Sequence, residues 1–184
     1  MNILLAGYIA LEATHKLIEN EKPALCCRFS NRFLSLAYEM TGREMLSCDS
    51  ICKVADEALV KLKAENIIEI QNMGIFGSLW EFAEQNGTGL NIDLGKISIR
   101  QETIEICEWM NVNPYTYPSK GSFLIRTEKA YELKDALLRN GIEAAVIGYE
   151  TEDNDRIIVN QGETRFLTPI DRLLKDEQGL ENYR

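Results

Sequence analysis

The chain has 184 residues, 45% of them hydrophobic, with 20 basic against 29 acidic side chains and a formal charge of −9. That is enough to bury one sizeable core and too little for two independent ones, so a single domain over 1–184 is expected. The acidic excess falls almost wholly after residue 65, and it argues against nucleic acid or an anionic membrane as partner, since both are bound by neutralising phosphates. No apolar run approaches the roughly 20 residues of a membrane span, and the start Met1 to Gly7 lacks the basic flank of a secretory signal. A cytoplasmic protein is expected. Cys26, Cys27, Cys48, Cys52 and Cys107 form an odd set without Cys-x-x-Cys spacing, which points to reduced thiols.

In chain order, Asn2 to Ala6 reads as a short strand broken by Gly7, and Leu11 to Glu19 as a helix. Phe29, Phe33, Leu34 and Ala37 place a second helix after the turn at Pro23, with Phe29 near its start. Ser47 is positioned to cap a third, whose stripe is Ile51, Val54, Ala55, Ala58 and Leu62. Asn66 to Ile70 is β-branched and extended. A turn at Gln71 to Gly74 then leads into a helix with two apolar stripes, one of Ile75, Leu79 and Phe82 and one of Phe76 and Trp80, ended by Gly87 and Gly89. Leu90 to Leu94 is a strand, Gln101 to Met110 a short helix and Ser122 to Ile125 a strand. Thr127 is read as the cap of a helix carrying Ala130, Leu133 and Leu137 and ending at Gly141. Three strands follow, at Ala144 to Tyr149, Arg156 to Asn160 and Thr164 to Leu167, the first two joined as a hairpin by the acidic turn Glu150 to Asp155. A helical part at about 8–64, a sheet-and-helix part at about 65–170 and a tail at 171–184 result.

None of the candidates for acid–base, nucleophilic or metal chemistry is convincing from the residues alone. His15, the one histidine, has no Ser, Cys or Asp partner near it in sequence and reads as a solvated or capping imidazole. Cys48 and Cys52 share a helical face but would need two further soft ligands, for which only the adjacent Cys26 and Cys27 are available, and they read as buried apolar thiols. Glu150, Glu152, Asp153 and Asp155 lack the spacing of a calcium loop and suit a solvated turn. Gly74 and Gly77 open a helix whose free N–H groups suit a phosphate, without any nucleotide fingerprint, and small-residue packing of helix on sheet accounts for them too. No catalytic residue, metal or cofactor is assigned.

Five stretches carry a family likeness: Gly7 to Thr14, Gly74 to Glu84, Ile97 to Cys107, Asn113-Pro114-Tyr115 and Ala144 to Gly148. In order and spacing, from about residue 5 to 168, they resemble the C-terminal domain of the aminoimidazole ribonucleotide (AIR) synthase-related family, in style closest to its hydrogenase-maturation branch. The resemblance implies an α+β fold, a mixed β-sheet covered by helices, ordinarily following an N-terminal domain that holds most ATP and magnesium ligands. The present chain is expected to stand without that domain. The family's loop of an Asp, a Thr and a Gly-Gly pair aligns with Glu69, Gln71, Met73 and Gly74, so only the second glycine is kept. Its small-small-Gly loop aligns with Ser119-Lys120-Gly121-Ser122, where backbone amides and a lysine suit an anion. The hydrogenase-maturation protein ends in a cysteine, whereas this chain ends Glu181 to Arg184.

The expected ligand-binding residues are therefore Gln71, Asn72, Gly74, Ser119, Lys120, Gly121 and Ser122. The expected function is a non-catalytic interaction or small-ligand module, with half of an ATP-dependent enzyme, completed by a separate ATP-binding chain, as the alternative. The expected partner is either a second copy, drawn by apolar surface around Phe76, Trp80 and Trp109, or an ATP-binding domain of the same family.

Overall fold

The structure, a computed structural model, describes residues 1–167; the expected tail and the chain end lie outside the described residues. An interior strand of its sheet is β1 (Asn2–Ala6), in which Ile3 and Leu5 point to one face and Leu4 and Ala6 to the other, all fully buried. An apolar run without alternation belongs in the middle of a sheet covered on both sides. Around it assemble β2 (Ile67–Glu69), β3 (Gly89–Asp93), β4 (Phe123–Thr127), β5 (Ala144–Thr151), β6 (Arg156–Asn160) and β7 (Glu163–Phe166), in the order β2-β4-β1-β5-β3-β6-β7. All neighbours are antiparallel except β3 and β6. The fold is α+β with a mixed, open sheet.

The expected β5–β6 hairpin does not exist. β3 lies between these two strands, paired antiparallel to β5 and parallel to β6, so the acidic segment 152–155 crosses over the end of β3. There Asp153 accepts hydrogen bonds from Thr151 Oγ1 at 2.7 Å and from the Asp155 amide at 3.1 Å. A strand inserted from 60 residues upstream leaves no local trace in the turn, which reads the same in either topology.

One sheet face is covered by α5 (Gly74–Asn86), whose Ile75, Leu79, Phe82 and Ala83 pack on Ile3, Leu5, Leu124 and Ile147. The other carries α4 (Cys48–Glu57) and α7 (Ala130–Arg139), through Ile51, Val54, Leu133 and Leu137. Helices α1 (Leu11–Asn20), α2 (Lys22–Leu25), α3 (Asn31–Glu44) and α6 (Gln101–Trp109) surround a third cluster of Ile18, Leu25, Leu34, Ala37 and Ile106. The helical part thus divides: α4 joins the sheet, and the rest pack with α6 from the second half.

Helix ends follow side-chain capping where a good acceptor is present. Ser47 Oγ accepts the Ser50 amide at 3.3 Å, as expected, while Ser30 caps α3 by accepting the Phe33 amide at 3.2 Å and leaves Phe29 outside the helix. Thr127 does not cap α7. Its hydroxyl accepts the Lys129 amide at 3.2 Å in a turn, and Lys129 itself occupies the cap position without a side-chain bond. α4 stops at Glu57, because the chain reverses through Leu59 in the left-handed region, yet Leu62 still packs against the same cluster.

Candidate functional site

The two loops expected to hold a ligand are brought to one end of the sheet by the pairing of β2 with β4. Glu69 lies opposite Phe123, and the Ile70 amide continues the ladder by donating to Ser122 O at 2.9 Å. The segment before β4, residues 113–119, runs across the N-termini of both α5 and α1. At α5 the Phe76 amide donates to Tyr115 O at 3.1 Å, and the Phe76 and Tyr115 rings stack with centroids 5.2 Å apart. At α1 the Ala10 amide donates to Ser119 Oγ at 2.7 Å and the Ala13 amide to Pro118 O at 3.3 Å.

The amides of the small-residue loop already hold carboxylates. Gly121 N–H donates to Glu69 Oε1 at 2.9 Å, and Lys120 N–H to Glu12 Oε2 at 3.2 Å. Glu12 also receives the Lys16 ammonium at 2.7 Å. Backbone N–H groups at such a turn suit an anion. Here the anion is the protein's own.

The seven expected residues thus fall into two groups. Ser119 and Ser122 are fully buried and bonded internally, the Ser119 hydroxyl to Tyr117 O at 3.0 Å and the Ser122 hydroxyl to Ser119 O at 2.6 Å. Gly74 and Gly121 are buried with positive φ. Gln71, Asn72 and the Lys120 side chain are exposed and remain available to a ligand or partner. Replacing Ser119 with alanine is expected to strand the buried Ala10 amide and to lower stability by about 1–3 kcal/mol, against less than about 0.5 kcal/mol for Lys120→Ala. Urea unfolding of the two variants measures the difference, and equal midpoints would contradict this account of the loop.

The other chemical candidates are placed differently from expectation. His15 is neither solvated nor a cap: its ring stacks on Tyr38 at 3.8 Å and its Nδ1 lies 3.0 Å from Thr41 Oγ1, a packing role between α1 and α3. Cys48 is exposed and Cys52 half-buried, with their sulfurs 3.9 Å apart; Cys107 is the buried thiol, and burial pushes it up to about 12. The α4 stripe turns Ile51 and Val54 inward, so the thiols of the same helix face outward. Phe76 is covered by Tyr115, and Trp80 lies beneath the Arg156 guanidinium at 3.9 Å, which leaves less apolar surface on α5 than its two stripes suggest. Trp109 is half-exposed and donates its Nε1–H to Ala24 O at 3.2 Å. Among the described residues no group of three or more His, Cys, Asp or Glu side chains is arranged to hold a metal. Among the same residues no helix is long and apolar enough to cross a membrane.

A cavity of about 530 Å³ opens elsewhere, between the β1–α1 loop, the end of α3, the start of α6 and the α7–β5 turn. Arg100 binds Glu44 at two points, Nε to Oε2 at 2.8 Å and Nη2 to Oε1, and lies 4.3 Å from the Tyr8 ring centroid. Glu143 accepts from Ser98 Oγ at 2.9 Å and from the Tyr8 hydroxyl at 3.4 Å. Burial first, then the Glu143 charge, raise the Tyr8 phenol above its ordinary value. Sequence reasoning missed this cavity. Gly7, Tyr8 and Arg100 lie in segments that carried the family resemblance, but Arg43, Glu44 and Glu143 belong to no motif, and only the fold assembles them.

The open mixed sheet, with α5 on one face and α4 and α7 on the other, defines an α+β domain. Residues 70–160 match the family model described as AIR synthase related protein, C-terminal domain, and mark this part of the chain as an AIR synthase-related C-terminal domain. Phosphoribosylformylglycinamidine synthase subunit PurL of Campylobacter lari is 33% identical over 127 residues, 66% of this chain and 17% of PurL. HypE of E. coli superposes with a TM-score of 0.66 at 16% identity, covering 94% of this chain and 52% of HypE. The hydrogenase maturation protein HypE in complex with ATP superposes with a TM-score of 0.66 at 14% identity, covering 94% and 51%. The chain therefore spans about a sixth of PurL and about half of HypE.

Proposed function

We propose that this chain is a non-catalytic half of an AIR synthase-type assembly, a ligand-holding and docking module that an ATP-binding domain completes. The observation that carries the reading is the extent of the structural match: 94% of this chain corresponds to one half of HypE, a protein solved with ATP. The exposed Gln71, Asn72 and Lys120, set around the Glu69-filled loop, form the face such a domain would meet. A second copy of the chain is a less favoured occupant, because Phe76 and Trp80, which would draw it, are covered within the chain. The cytoplasm is the compartment this reading implies.

Calorimetric titration of the 184-residue chain with magnesium-ATP is expected to show no binding with useful affinity. Binding is expected only once an ATP-binding domain of the family is added, with a complex detected by light scattering at the summed mass. Tight, magnesium-dependent binding of ATP by the chain alone would overturn the proposal.

A further inference from the structure

We infer that the cavity between Tyr8, Arg43, Arg100 and Glu143 binds a small zwitterion of the α-amino-acid class, with an apolar side chain. Its volume of about 530 Å³ falls within the range of small-molecule sites, and part of its wall is Leu46, Leu138 and Ile142. Its charged lining consists of two arginines and two glutamates, so it sums to zero. The four charges are not equivalent. Arg100 and Glu44 neutralise one another through a two-point ion pair. Among the described residues Glu143 is held by two neutral hydroxyls and pairs with no cation, and Arg43 has no ion-pair partner.

One cation and one anion without internal counter-charges therefore line the same concavity, where partial exclusion of water strengthens each. A phosphate or nucleotide would gain Arg43 and meet Glu143. A polyamine would gain Glu143 and meet Arg43. A ligand bearing a carboxylate and an ammonium satisfies both, with its side chain against the leucines and Ile142. None of the seven residues expected from the sequence lines this cavity, and the ligand named here is independent of whether an ATP-binding domain docks on the other loops.

The test is a saturation-transfer NMR screen of the chain against the standard L-amino acids at neutral pH, followed by calorimetry on the strongest. An aliphatic or aromatic amino acid is expected to bind. Its amine-only and acid-only analogues are each expected to bind at least about tenfold more weakly, a loss of about 1.4 kcal/mol. Arg43→Gln and Glu143→Gln are each expected to produce a similar loss. Lys61→Gln, exposed and outside the cavity, is expected to change nothing. Arg43 is exposed, so its variant keeps the fold, and a thermal melt of each variant confirms this. The inference is overturned if no amino acid binds, if binding is indifferent to both variants, or if inorganic phosphate competes for the cavity with equal strength.

Discussion

Replacing Gly74 with alanine is expected to lower stability by about 3 kcal/mol or more. Gly74 has φ +62°, where an L-residue is strained by roughly 1–2 kcal/mol. A Cβ there would also stand 2.5 Å from Tyr115 O, 2.7 Å from the Thr116 carbonyl carbon and 2.8 Å from the Tyr117 amide nitrogen. These are backbone atoms of the segment that caps α5 and α1, so relief requires moving that segment rather than one flexible side chain. Gly87, at the other end of the same helix, has φ +61° and open space around its position. Gly87→Ala should then cost only the conformational strain, about 1 kcal/mol. Chemical denaturation of both variants isolates the packing contribution, and equal losses would show that the 115–117 crossing does not constrain Gly74. The glycine at position 74 is thus explained by a close backbone approach.

Phe82→Ala is expected to cost about 3–5 kcal/mol, the range for truncating a fully buried aromatic side chain. Phe82 is 0% exposed and belongs to the cluster that joins α5 to β1, β3 and β5. The cavity it leaves would be lined by Ile, Leu and Ala side chains held by a sheet on one side, which limits collapse. Phe82→Leu should recover part of the loss, since it keeps most of the apolar contact. Urea unfolding followed by far-UV circular dichroism measures both, and a loss below about 1 kcal/mol for the alanine variant would contradict the assignment of α5 as the principal cover of that sheet face.

The order of these effects bears on the family reading. The resemblance rests on local stretches such as Gly74 to Glu84, and those are the residues that organise the junction of α5, β2 and the segment before β4. Retention of such stretches follows from packing alone, and the ligand chemistry is a separate matter. Glu69 makes the point. The resemblance reads it as the counterpart of a ligand-loop aspartate, whereas in the fold its carboxylate accepts the amide of Gly121.

Where an element's identity depends on its own periodicity, the amino-acid sequence was sufficient. The unbroken apolar run of β1, the Ser47 cap of α4 with the first part of its stripe, Ile51, Val54 and Ala55, and the doubly apolar α5 ended by Gly87 are all properties of consecutive residues, and each lies where the pattern places it. The family likeness follows from such segments and their order, and the α+β class was what that likeness implied. What depends on residues far apart was decided only by the tertiary structure. The insertion of β3 between β5 and β6 cancels a hairpin that local turn chemistry favours. The anion-seeking amides at Lys120 and Gly121 meet carboxylates 108 and 52 positions away, and His15 meets Tyr38 and Thr41 on another helix. The charged cavity takes Tyr8, Arg43, Arg100 and Glu143 from four separate segments. Periodicity encodes which face of an element is buried, but a charge's partner is set by three-dimensional proximity, for which consecutive residues carry no period to read.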